Sequence, residues 1–138
     1  MERLLNKSRQ RGLATVEAAL VVPFVLVLVL GVMEYGWMFL KVHHVANAAR
    51  RGARVAILPY SSSNDVLSSI EELMEKAGLS DTGYNVDLTP PDVSSALPND
   101  AVTVRVTVPY VNVGIISIPL LPVPENLRAA VSMAKEGP

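Results

Sequence analysis

The sequence predicts an α+β protein: a long N-terminal transmembrane helix packed on a small antiparallel β-sheet domain with one short helix. Three observations lead there. Residues 18–40 carry a single charged side chain, Glu34, and read as an apolar helix. Nine of the ten prolines lie after residue 54, so the remainder cannot continue as helix. Residues 101–108, AVTVRVTV, alternate Val with Thr103, Arg105 and Thr107, the period of a half-buried strand.

Composition supports two parts built differently. The chain has 138 residues, 50% hydrophobic and 18% charged, with a mean hydropathy of +0.34. This excludes a disordered chain and fits one ordinary domain with an appendage. The net charge of −1 hides an asymmetry. Residues 1–54 hold eight Lys or Arg against Glu2, Glu17 and Glu34, a balance of +5, whereas residues 55–138 hold four against ten acids, a balance of −6. A cationic front half suits contact with membrane head groups or another polyanion. With no cysteine in the chain, disulfides and thiol chemistry are excluded.

The first element is the membrane segment. Ala18 to Leu40 is 23 residues, about 34 Å of helix against a hydrocarbon core of about 30 Å. Its valines do not oppose a helix, because an open strand in lipid leaves its backbone unpaired. Pro23 withdraws a donor from the carbonyl of Ala19, so local loosening is expected there. Gly31 and Gly36 permit close packing, but five apart they make no GxxxG face. A cleavable secretory signal fits poorly. The apolar run from Ala18 to Met33 has 16 residues and Ala48 of the A-x-A triplet lies 15 further on, whereas a cleaved apolar core of about 7–15 residues is cut close behind its end. Four Lys or Arg precede the span and Lys41, Arg50, Arg51 and Arg54 follow it, so the positive-inside rule does not orient it.

Glu17 stands at the start of the apolar run with no Lys or Arg four residues on. An acid there is costly and points to function. Cleavage after Gly12 would give Leu13 a free α-amino group and make Glu17 the fifth residue, so that the amine of a neighbouring copy would neutralise it. The alternative is that Glu17 complements the positive end of the helix dipole.

A basic leader ending in Gly12, a hydrophobic Leu13, Glu17 at the fifth position and an apolar helix resemble the class III signal of type IV pilins and pseudopilins. The run RGLATVEAALVVPF, then Met33-Glu34-Tyr35-Gly36, then Ala48-Ala49-Arg50-Arg51-Gly52-Ala53-Arg54 resembles the TadE-like family of the tight-adherence type IV pilus. The likeness covers about a third of the chain. It departs at Ala18, where the family commonly has Phe.

The resemblance implies a prepilin peptidase cutting between Gly12 and Leu13 on the cytoplasmic side, with the carboxy-terminal part outside the plasma membrane. It also implies partners among other pilin-like subunits and the pilus assembly machinery. Glu17 would then pair with a neighbouring Leu13 amine in apolar surroundings, where a lone carboxylate is expensive, and so fix axial register.

The basic continuation, Lys41 to Arg54, carries the helix onward with Val42, Val45, Ala46, Ala49 and Ala53 on one stripe. Lys41, Arg50, Arg51 and Arg54 are the membrane-proximal basic group, suited to anionic lipid or acidic neighbours. Nucleic acid is not expected, since no aromatics are interleaved and no binding motif is present. Adjacent His43 and His44 point about 100° apart on a helix and cannot close on one metal.

Beyond it, Pro59 and Ser61-Ser62-Ser63 end the helix and form a linker. Asn64 or Asp65 caps a short helix with Val66, Leu67, Ile70, Leu73 and Met74 inward, Glu71, Glu72 and Glu75 outward and Gly78 as stop. Strands are expected at 84–88, 101–108 and 111–118. Residues 127–134 fit a strand or a helix, and the family resemblance favours the strand. The run PLLPVPE at 119–125 is a loop whose apolar residues suit a partner. This gives a leader at 1–12, the long helix at 13–58 and an extracytoplasmic domain at 59–138. The outer third of the helix supplies the covering layer that so small a sheet needs.

No catalytic, cofactor or metal constellation is present in the sequence, and an enzyme is not expected. The sequence therefore points to a minor pilin or pseudopilin, made as a precursor and acting in pilus assembly and surface adhesion. The alternative from a different class is a non-assembling single-pass membrane protein with a ligand-binding extracytoplasmic domain.

Overall fold

The computed structural model describes residues 2–115 and 122–137, with side chains from residue 15 onward. The chain divides into two units, residues 1–35 and 36–138. One helix, α1 (Glu2–Ala56), passes through both. It starts earlier than Leu13, taking in the basic leader, and continues through Pro23 without a break in assignment. Its end at Ala56 precedes the expected end at 58, because Pro59 disfavours helical geometry in the residue before it. The last turn tightens as Leu58 N–H donates to the Val55 carbonyl at 3.2 Å.

Described by itself, the first unit is α1 alone. Every residue from Thr15 to Leu30 is exposed. This helix is long and apolar enough to cross a membrane.

The second unit opens with the remainder of α1 and continues through α2 (Ser63–Lys76), β1 (Asn85–Thr89), β2 (Ala101–Pro109) and β3 (Asn126–Ala134). The strands form one antiparallel sheet in the order β1-β2-β3, with Asp87 opposite Arg105 and Arg105 opposite Ala130. Alternation does what the sequence predicts on β2. Val102, Val104, Val106 and Val108 are fully buried, while Arg105 is exposed. Burying each of these valines stabilises by about 1.5–3 kcal/mol. Facing them are Val45, Ala48, Ala49, Ala53 and Ala56 of α1 and Val66, Ile70 and Met74 of α2. The expected stripe on α1 is shifted. Ala46 is only half-buried, and Ala48, Gly52 and Ala56 join Val45, Ala49 and Ala53 inside.

Gly52 sets how closely α1 approaches. A Cβ there would stand 2.6 Å from Ile70 Cδ1 and 3.3 Å from Val104 Cγ1, so the Ile70 side chain would have to shift to admit it.

The ends of α2 are tightly specified. Ser62, not Asn64 or Asp65, is the N-cap: its side chain accepts from Asp65 N–H while the Asp65 carboxylate accepts from Ser62 N–H, a reciprocal capping box. The serine run is therefore mostly helix start rather than linker. At the other end Leu79 N–H reaches the Met74 carbonyl at 2.8 Å and Gly78 N–H the Glu75 carbonyl at 2.9 Å. With Gly78 at φ +63°, this is the Schellman closure that a glycine stop implies.

The strand expected at 111–118 is not formed in its described part. Residues Tyr110–Asn112 make a 3-10 turn, with Val113 N–H on the Tyr110 carbonyl at 3.0 Å; positions 116–118 lie outside the described residues. Pro109, last in β2, cannot donate to a further ladder. Residues 126–134 are a strand, as the resemblance suggested.

Candidate functional site

The sequence-predicted positions all fall on α1. Gly12 and Leu13 lie within its first turns, and their side chains are outside those described. Glu17 is exposed. It stands among Val16 at 62%, Leu20 at 65% and Phe24 at 77% exposure, so its carboxylate shares a surface with apolar side chains that nothing in the described chain covers.

Glu34, the other acid in the apolar stretch, behaves in the opposite way, with only 2% of its surface exposed. Gly31, one turn earlier, is also buried, whereas a Cβ at Gly36 would meet nothing within 4 Å. The two glycines that the sequence pairs as packing sites thus have different surroundings.

The basic group separates in the same manner. Arg50, Arg51 and Arg54 are exposed. Arg50 Nη1 donates to Asn47 Oδ1 at 3.0 Å, and Arg54 lies in the last turn of α1, where a cation favours the negative end of the helix dipole. Arg51 is near enough to α2 to help hold the Glu72 carboxyl below its usual range, after the larger effect of the Lys76 hydrogen bond. Lys41 is not on this surface. It is 8% exposed, its ammonium donates to the Ala77 carbonyl at 3.0 Å, and it lies 4.7 Å from the centre of the Trp37 ring. The ammonium thereby completes the carboxy-terminal end of α2, where carbonyls lack helical partners. Trp37 is held in turn by Nε1 donating to the Val113 carbonyl at 2.7 Å.

A second buried lysine was not anticipated. Lys135, just past β3, donates to the carbonyls of Ala56 and Leu58 at 2.9 Å each and to Ser61 Oγ at 3.1 Å. Glu136 N–H adds the Ile57 carbonyl at 2.9 Å. The end of α1 is thus capped by the far end of the chain's last strand.

Among the described residues, no cluster of three or more His, Asp or Glu stands ready to hold a metal ion. His43 is exposed and His44 half-buried. The outer sheet face is polar, with Asn85, Asp87, Arg105, Thr107 and Arg128 lining a shallow depression.

The arrangement is that of an exposed apolar helix, followed by a domain whose polar atoms serve its own architecture. Neither the search of curated proteins nor that of solved structures returned a match. Residues 12–54, about a third of the chain, match the family model described as TadE-like protein, and over that stretch, which holds the exposed apolar helix, the chain is similar to that family.

Proposed function

We propose that this protein is a minor pilin or pseudopilin of a tight-adherence type IV pilus, acting in pilus assembly and surface adhesion. The observation that carries the reading is the coincidence of the TadE-like match over residues 12–54 with an apolar helix exposed along Thr15–Leu30. A prepilin peptidase removes residues 1–12 by cutting the Gly12–Leu13 bond. The new Leu13 α-amino group then pairs with Glu17 of a neighbouring subunit, both groups being stabilised by neutralisation in apolar surroundings. The carboxy-terminal domain lies outside the plasma membrane, and Arg50, Arg51 and Arg54 face anionic head groups or acidic neighbours.

The test is the amino-terminal peptide and intact mass of the protein extracted from its native membrane. A start at Leu13 is the expected outcome. A start at Met1 would reduce the protein to a single-pass anchor with an outer binding domain, and a start after Ala48 would make it a secreted protein without the helix.

A further inference from the structure

The sheet of the second unit has one face in the core and one outside it. Val102, Val104, Val106 and Val108 of β2 pack with α1 and α2, while Asn85, Asp87, Arg105 and Arg128, which point the other way, are exposed. Ala101, Ala130, Ser132 and Ala134 are exposed on the same outer face, and side chains so small leave it open to close approach. Asp87 stands directly opposite Arg105, a placement in which opposite charges on adjacent strands ordinarily pair. Here they form no ion pair. The Asp87 carboxylate accepts instead from Asn85 Nδ2 at 3.0 Å. Arg128 is opposite Thr107 and so is the diagonal neighbour of Arg105. Two guanidinium groups thus lie side by side along a depression of about 350 Å³, and among the described residues no carboxylate holds either.

The opposite charge lies on the other side of the same unit. Helix α2 buries Val66, Ile70 and Met74 on the valine side of the sheet. Of its acids, Asp65 is engaged in the cap and Glu72 holds Lys76 at 2.6 Å. Glu71 and Glu75 are exposed, one turn apart, and among the described residues no hydrogen bond or ion pair engages either carboxylate. The spacings agree. Residues four apart on a helix have Cβ atoms about 5–6 Å apart, and diagonal neighbours on a sheet are slightly under about 7–8 Å apart at Cβ.

We infer that the outer sheet face of one copy receives α2 of a second copy of this chain, with Arg105 and Arg128 pairing with Glu71 and Glu75 of the other. The inference rests on the assembling role proposed above and supplies that role with a contact in the second unit. Arginine suits it, because the planar guanidinium meets a carboxylate with two parallel N–H bonds. The two surfaces differ and lie on opposite sides of the unit, so the contact is heterologous: each pair of copies keeps one free surface of either kind, and the contact can repeat.

The chain has no cysteine, so cross-linking positions can be placed at will. Full-length protein carrying both Ser68→Cys on α2 and Ala130→Cys on the sheet is treated with a short bis-maleimide in its native membrane, beside each single variant. The expected products are dimers, trimers and larger species from the double variant and monomer from each single one. Adding Arg105→Glu with Arg128→Glu should lower the linked fraction by about tenfold or more, because like charges then meet across the interface. Adding Glu71→Arg with Glu75→Arg as well should restore it. All four charged side chains are exposed, so these reversals keep the fold, which circular dichroism checks. Monomer alone from the double variant, in protein that starts at Leu13, overturns the inference and leaves the pilin reading standing; in protein that starts at Met1 it overturns both. Dimers from a single variant overturn it too, since like surfaces would then be in contact. So does a ladder that the charge reversals leave unchanged.

Discussion

The two stretches of α1 belong to one continuous helix, yet they solve different problems. From Leu20 to Leu30 the side chains are nearly all large and exposed on every face, with Leu28 at 67% and Phe24 at 77%. From Val45 to Ala56 the inward positions are almost all small, and Ala48, Ala49, Ala53 and Ala56 are completely buried. Large residues all round suit a helix whose surroundings are lipid or copies of itself. Small residues on one stripe let a helix backbone lie close to a sheet. A helix can thus change its environment midway with no change in secondary structure, and side-chain volume marks where.

The largest effect that would break this comparison lies at Glu17. A Glu17→Ala protein is expected to insert normally, since losing an acid eases insertion, and to yield no filaments. Alkaline extraction of membranes and electron microscopy of sheared pili read the two outcomes. Filaments at wild-type abundance would mean that the exposed half of α1 is only an anchor.

Next is a paired truncation. Ile70→Ala removes a fully buried side chain and should cost about 2–5 kcal/mol of the second unit's stability. Leu26→Ala in the span should leave that stability within about 0.5 kcal/mol. Urea unfolding in mild detergent, followed through the emission of Trp37, compares them. Equal losses would show that the two units do not respond separately.

Gly52→Ala sharpens the small-residue argument. Overpacking against Ile70 should cost about 1–3 kcal/mol, offset in part by about 1 kcal/mol of helix propensity gained. Adding Ile70→Val, which deletes the Cδ1 that the new methyl meets, should restore part of the loss, a non-additivity expected of residues in contact. Additive losses in the same unfolding assay would mean that the close approach at Gly52 is not what limits packing.

The smallest effect is at the start of α2. Ser62→Ala should cost about 0.5–2 kcal/mol. The Asp65 carboxyl is held below its ordinary value by hydrogen bonds from the Ser62 side chain and backbone. A carboxyl with a depressed folded pKa contributes fully above the unfolded value of about 3.9 and loses that contribution as pH falls through the folded one. The stability difference between wild type and Asp65→Asn should therefore be constant from neutral pH down to about 5 and shrink in more acid solution. A difference that persists unchanged to pH 2 would remove the capping carboxylate from the account.

Much of this was legible in the sequence. The span needed only length and apolarity, and β2 only its alternation, because both signals are local. The sequence offers Asn64 or Asp65 as the cap of α2 because Ser62, Asn64 and Asp65 are all good capping residues, and only the reciprocal bond between Ser62 and Asp65 singles out Ser62. Residues 110–112 are rich in β-formers but follow a proline and turn back toward Glu125, a long-range closure that periodicity cannot register. Lys41 and Lys135 were the hardest to foresee. Lysine normally marks a surface, and the carbonyls that bury these two are 36 and 79 residues away in sequence.

That last separation has a bearing on the order in which the chain is made. Synthesis delivers α1 first and Lys135 only after β3, so the carbonyls of Ala56 and Leu58 wait for their partner through the making of α2, β1 and β2. The latch at the end of the helix closes only when the last strand has docked beside β2. Contacts of such long sequence separation form late. If the second unit is carried across a membrane amino-terminal end first, it remains unlatched during passage and becomes a finished unit only once residues 126–136 have followed.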